Sequence, residues 1–252
     1  MYLKGMVYIY ALLGTVVVSL ISLVAIFSLS MKEELLRKYI FIFISLAVGA
    51  LLGDAFIHLI PESFEIFSQS DKVGLLVISG IFIFFILEKF MHWHHHGDDK
   101  EKHHIHPVGR LVLFSDGVHN FLDGIVIGVS FLVSIPVGFA TTLAVILHEI
   151  PQEIGDFAVL LHSGYTRKRA LWVNFLSALA AILGTIVAFG LGEASENFIA
   201  WVLPIAAGGF IYIAIADLIP ELQKTKQIKY SVFQFISFAI GVVLMFALLF
   251  IE

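Results

Sequence analysis

The chain has 252 residues, 59% of them hydrophobic and only 14% charged, and its mean hydropathy is +0.96. That is too apolar for a soluble domain and fits an all-α integral membrane protein that crosses the bilayer many times. The formal net charge of −5 gives no reason to expect nucleic acid as a partner, and the lack of any Cys excludes disulfides and thiolate metal sites.

Apolar runs broken by charged or polar linkers predict about eight spans of about 20 residues each, enough to cross the hydrocarbon. They cover residues 6–30, 40–61, 73–90, 109–132, 137–161, 170–192, 198–220 and 231–251. The first is too long for the apolar stretch of a cleaved signal peptide and has no small-residue cleavage site, so it reads as a span. The 24 Phe residues suit lipid-facing surface.

Basic residues set the orientation. Lys32, Arg37 and Lys38 follow span one. Lys89, Lys100, Lys102 and Arg110 lie in or beside the linker after span three. Arg167, Lys168 and Arg169 follow span five, and Lys224, Lys226 and Lys229 follow span seven. All four linkers fall on one side, which the positive-inside rule makes cytoplasmic. The chain is then a multi-pass protein of the cell (plasma or inner) membrane with both termini outside the cytoplasm, against which Lys4 is a minor exception.

A short repeat agrees with this. His58-Leu59-Ile60-Pro61-Glu62 ends span two and Asp217-Leu218-Ile219-Pro220-Glu221 ends span seven, at opposite membrane faces, as an inverted-topology repeat requires. The plainer reading is that Pro followed by Glu is a common way to stop a membrane helix; the matching positions of His58 and Asp217 favour the repeat.

Spans four and five carry the chemistry. Ionisable groups at membrane depth are costly and usually functional. At about 100° per residue, measured from Asp116, Asn120 lies at about 40°, Asp123 at about −20° and His119 at about −60°. His119 and Asp123 are an i, i+4 pair able to bind one ion together. On span five, measured from His148, Gln152 lies at about 40°, Asp156 at about 80°, Glu149 at about 100° and Glu153 at about 140°. Each span therefore gathers its polar groups into one sector. The two faces must turn from lipid and pack together around a cation or water. Gly117, Gly124, Gly128 and Gly155 permit close approach of backbones, and Pro151 frees a carbonyl near Val145–Leu147.

Other polar positions are open to two readings. Asp54 and His58 on span two either line the pathway or hold helices together. Asn174 and Ser177 on span six read as helix-packing groups, Asn174 also being a pathway candidate. Asp217 reads as an interfacial or gating residue, and His162 as an ordinary boundary residue. The linker after span three contains His92, His94, His95, His96, His103, His104 and His106, a metal-chelating composition on the cytoplasmic side.

The pattern His119-Asn120-x-x-Asp123-Gly124, with His148-Glu149-x-Pro151-Gln152-Glu153, resembles the ZIP (Zrt-, Irt-like protein) family of divalent metal transporters, especially its histidine-rich branch. The similarity spans essentially the whole chain. It implies a single transporter domain over 1–252: spans one to three (about 6–90), a His-rich cytoplasmic loop (about 91–108), spans four and five (about 109–161) and spans six to eight (about 170–251) in a 3+2+3 inverted-repeat arrangement. It also implies elevator-type movement of spans one, four, five and six, a frequent homodimer, and import of Zn2+ as substrate. The implied metal site is His119, Asp123, His148 and residue 152, with a neighbouring site at Asn120 and Glu149. Two departures bear on this. The family's second span-five His is Gln152 here, a harder and weaker ligand than imidazole that remains acceptable to Mn2+ or Fe2+; Cd2+ is a further candidate substrate. Ala181 stands where some relatives place a carboxylate, which leaves the neighbouring site weak or transient.

Three other readings compete: an intramembrane zinc metallohydrolase, since His148-Glu149 is similar to the start of His-Glu-x-x-His but meets Gln152 where that motif needs His; a passive, channel-like metal facilitator; and a metal sensor without flux.

Overall fold

The computed structural model describes residues 2–24, 33–67, 70–93, 107–224 and 228–250, and within them the secondary structure is helical. Helix is the form an apolar chain takes in lipid, because it satisfies every backbone polar group within the segment. Eight rods result. α1 is Tyr2–Ile21 with a tighter last turn, Ser22–Val24. α2 runs from Glu33–Asp54 through a widened π turn, Ala55–Leu59, into Ile60–Ile66. α3 is Ser70–Trp93, α4 Pro107–Val133 and α5 Ile135–His162. α6 is Arg167–Ala178 followed by Ala180–Ala194. α7 is Glu196–Tyr212, a π turn Ile213–Leu218, and Ile219–Gln223. α8 is Ile228–Leu248.

Six of the rods are long and apolar enough to cross a membrane, by length and composition: Gly5–Val24, Phe41–Ile66, Val112–Val133, Arg167–Gly192, Asn197–Gln223 and Tyr230–Leu248. The eight expected spans are all helices; the other two, α3 and α5, are as long but carry more polar groups among the described residues. α3 carries Asp71, Lys72, Glu88 and Lys89 towards its ends, and α5 carries His148, Glu149, Gln152, Glu153 and Asp156 in its body. Both retain the length, about 36 and 42 Å at 1.5 Å per residue against a core of about 30 Å. α5 tolerates its polar groups because it lies inside the bundle, packed on α1, α2, α4 and α6.

Local sequence explains the ends and breaks. Ser134 caps α5, its hydroxyl accepting from Val137 N at 3.3 Å, with Pro136 in the first turn where a missing N–H costs nothing. Thr166 caps α6 in the same way. The turn between α5 and α6 passes through Gly164 at φ 91, a left-handed conformation that a side chain disfavours. The interruption of α6 at Leu179 has an identifiable cause. Ser19 of α1 donates to the Ala178 carbonyl at 2.8 Å, and Ile182 N bonds instead to Leu179 O.

α2 packs along α8, α3 along α7, and α4 along α6. Each contact is a reciprocal glycine approach. A Cβ on Gly49 would meet Phe238 O at 2.1 Å, and one on Gly241 Leu46 O at 2.3 Å; Gly80 and Gly208 face Ile205 O and Val77 O, both at 2.1 Å; Gly124 and Gly184 face Ala181 O at 1.9 Å and Phe121 O at 2.0 Å. The apolar core includes Leu51, Leu59, Ile127, Phe131, Leu203, Phe210 and Met245. Large apolar side chains point outwards on the periphery, among them Leu75, Ile78, Phe82, Leu183, Trp201, Phe235 and Val243. An apolar exterior around a partly polar interior is the arrangement that a bilayer requires.

Candidate metal centre

α4 and α5 run side by side through the middle of the bundle, and their polar sectors meet as expected. His119 and Asp123 project from one turn of α4, and His148 and Glu149 from α5. One ligand atom from each lies within 4.8 Å of all the others. His119 Nε2 is 3.3 Å from His148 Nε2, 3.6 Å from Asp123 Oδ2 and 3.7 Å from Glu149 Oε1. His148 Nε2 is 3.3 Å from Asp123 Oδ2 and 3.6 Å from Glu149 Oε1. Tetrahedral zinc with bonds of about 2.0–2.1 Å places its ligand atoms about 3.3–3.4 Å apart. Five of the six separations among the four atoms, 3.3–3.7 Å, are thus close to the edges of a zinc-sized tetrahedron.

The surroundings orient these groups. His148 Nδ1 lies 3.1 Å from Ala144 O; a hydrogen on Nδ1 donates to that carbonyl and leaves the Nε2 lone pair facing the centre. The rings of Phe84 on α3 and Phe210 on α7 meet His119 and His148 edge-on, with centroids 6.5 and 6.1 Å apart. Asp123, His148 and Glu149 are buried, and the His119 side chain is 17% exposed. Asp123 Oδ2 and both Glu149 oxygens have no hydrogen-bond partner. Buried carboxylate oxygens left bare are costly, and a cation at the centre of the four would satisfy them.

A second cluster adjoins the first through Glu149. Asp116, Glu149 and Glu153 also bring carboxylate oxygens within 4.8 Å of one another. Asn120 Nδ2 donates to Asp116 Oδ1 at 2.8 Å, and Ser177 donates to Asp116 Oδ2. Asn174 donates to Glu153 Oε2. Asn120 Oδ1, Asn174 Oδ1 and Glu153 Oε1 remain buried and unpartnered. This donor set is all oxygen and suits harder ions than the His-containing centre.

The structure thus brings together His119, Asp123, His148 and Glu149, and beside them Asp116, Asn120, Glu153 and Asn174. Glu149, expected in the neighbouring site, stands at a corner of both. Gln152 is half-buried one turn after His148, and its amide makes no hydrogen bond among the described residues. Ala181 brings no carboxylate; its backbone packs on Gly124, and Asp116 and Glu153 supply the acidic groups instead. Asp156 is half-buried and joins neither cluster. Asp54 and His58 pair with each other on α2, away from both. His92 lies in the last turn of α3, whereas His94, His95, His96, His103, His104 and His106 fall outside the described residues. Sequence reasoning missed Phe84, Phe210 and Thr141. The two Phe residues carry no sequence signal among so many, whereas Thr141, a hydroxyl in an apolar run, was visible.

The family model described as ZIP zinc transporter matches residues 6–110 and 95–249. This chain belongs to the ZIP zinc transporter family. Among its relatives are the zinc transporter ZIP13 homolog of Drosophila melanogaster, 31% identical over 94% of this chain and 88% of its own, and zinc transporter ZIP13 of Pongo abelii, 36% identical over 80% and 64%. Zinc transporter ZIP4 of Rattus norvegicus is 34% identical over 87% of this chain but 44% of its own, so the chain corresponds to under half of that protein. The family's proteins are transporters, and the hydrolytic reading of His148-Glu149 loses its footing with that membership. The α4 and α5 motifs are where this chain gathers the His, Asp and Glu groups that could hold a metal ion.

Proposed function

We propose that the chain is a single transporter domain that moves zinc, or a related divalent cation, into the cytoplasm through the centre formed by His119, Asp123, His148 and Glu149. One observation carries the proposal. Four ligand atoms from two adjacent buried helices lie at the spacing of a zinc tetrahedron, with carboxylate oxygens otherwise unpaired. The all-oxygen cluster at Asp116, Glu149 and Glu153 is a second stop for the ion beside the first.

The 3+2+3 inverted repeat is part of the proposal. In both α2 and α7 a π turn precedes Ile-Pro-Glu, and a glycine lies twelve residues before the Pro: Gly49 before Pro61, Gly208 before Pro220. These two glycines make equivalent contacts, Gly49 with Gly241's helix α8 and Gly208 with Gly80's helix α3. Exchange of α2 with α7 and of α3 with α8 therefore maps one packed pair onto the other. The pairs α2–α8 and α3–α7 form one group, and α1, α4, α5 and α6 pack on one another as a second. That division supports elevator-type movement of the second group against the first. Basic linkers support a cytoplasmic face at the ends of α1, α3, α5 and α7, with both termini outside. A homodimer follows from the family resemblance.

Uptake into proteoliposomes tests the reading. The wild type should accumulate zinc with saturation and counterflow, which separate a carrier from a passive facilitator, while cadmium, manganese and iron(II) compete. His119→Ala and His148→Ala should each cut uptake at least about tenfold. Near-normal uptake by both would mean that the ion goes elsewhere.

A further inference from the structure

α2 buries an acid and an imidazole in its wall against α5, apart from both clusters. We propose that Asp54, His58 and Thr141 form an additional docking station for the transported divalent cation, on the outer side of the main centre; this rests on the transport reading above. The backbone accounts for how the groups meet. Pro61 has no N–H to give to the Ile57 carbonyl, and α2 widens into the π turn Ala55–Leu59 just before it. Such bulges are frequent at functional sites. Here the bulge carries His58 and leaves its Nδ1 3.2 Å from Asp54 Oδ1. Thr141, reaching across from α5, donates to Asp54 Oδ2 at 2.9 Å.

The polar accounting of this trio is incomplete. Asp54 and Thr141 are 0% exposed and His58 3%, yet Asp54 Oδ1 and His58 Nδ1 face each other without hydrogen-bond geometry and His58 Nε2 has no hydrogen-bond partner. A tie that served only to hold α2 to α5 would be expected to satisfy these atoms, since each bare buried polar group is costly. A divalent ion between Asp54 Oδ1 and His58 Nδ1 would engage both. Their 3.2 Å separation is close to the spacing of about 3.3 Å between two ligands of one zinc ion. Two strong ligands and a hydroxyl bind more weakly than the two imidazoles and two carboxylates of the centre, so an ion passing from here to there moves downhill. The placement suits that order. Thr141 precedes His148 on α5 by seven residues, about 10 Å of helix, and α5 starts at the outer face in the orientation the basic linkers support.

The test uses the whole chain with the seven histidines of the linker region, His92 to His106, replaced by Ser. The chain has no Cys, so His58→Cys places one thiolate at the station, and cadmium bound there produces a sulfur-to-cadmium charge-transfer band. The band should appear on titration with cadmium, and adding Asp54→Asn should weaken the titration at least about tenfold. In the otherwise native chain, Asp54→Asn should raise KM for zinc uptake by a similar factor and change kcat less. No band, or a band indifferent to Asp54, overturns the station, as does an unchanged KM in Asp54→Asn. Zinc uptake by the native chain is measured alongside. Uptake without the band removes only the station, whereas the Asp54-dependent band without uptake leaves the station standing and removes the transport reading.

Discussion

Glu149 is the residue at which the two acidic clusters join, and Glu149→Gln isolates what its charge contributes. Zinc held by four ligands binds with about 10–16 kcal/mol, so one corner is worth about 3 kcal/mol, or about 150-fold in Kd. Gln keeps an oxygen at that corner, so affinity should fall by between about tenfold and about 150-fold. The metal-free protein should change in the opposite sense. Both Glu149 oxygens are buried without a hydrogen-bond donor, and removing an uncompensated buried charge at constant shape relieves that penalty. Glu149→Gln should therefore unfold at the same or a higher temperature than the wild type in chelator. It should lose between about half and nearly all of the increment that zinc adds: at zinc equal to about 100 Kd of the wild type, that increment is about 2.7 kcal/mol, and a site about tenfold to about 150-fold weaker keeps about 1.4 to about 0.3 kcal/mol of it. Gln152→Ala is the control. Its amide makes no hydrogen bond among the described residues, and its loss should cost under about tenfold. Thermal unfolding in nanodiscs with and without zinc, together with the KM for uptake, reads both effects. A larger loss in Gln152→Ala than in Glu149→Gln would show that residue 152, not Glu149, completes the tetrahedron.

Gln152→His, which offers an imidazole one turn from His148, should raise apparent affinity for zinc and shift selectivity towards it over manganese and iron(II); an unchanged preference order in competition uptake would exclude residue 152 from the ion's contacts. Because ligands must shed protons to bind metal, zinc uptake at fixed free zinc should fall as the pH of both faces is lowered, and a flat profile would argue against a site built on ionisable ligands. Ser195→Cys, between α6 and α7, should react with an impermeant thiol reagent from outside and Thr166→Cys only from inside; the reverse would invert the orientation. Replacing His94, His95, His96, His103, His104 and His106 by Ser should leave substantial uptake, and complete loss in a folded protein would place the linker in the path itself.

The sequence alone determined the membrane class, the helical character of all eight rods and the two polar faces, because hydropathy and the helical period are properties of one segment at a time. His119 with Asp123, and His148 with Glu149, could be read from spacing within α4 and α5. The matching Pro61 and Pro220, with Gly49 and Gly208 twelve residues before them, were likewise written in the chain, although the two π turns are features of the folded backbone. What tertiary structure alone decided is which atoms meet. Whether Glu149 or Gln152 stands beside His119 depends on how far α5 is rotated about its axis against α4. A rotation of about 60° separates one outcome from the other, and no local periodicity records it. The same holds for Thr141 reaching Asp54 across α2 and α5, and for Ser19 taking the Ala178 carbonyl and breaking α6. These contacts join residues far apart in the chain, and only the packing of whole helices against one another brings them together.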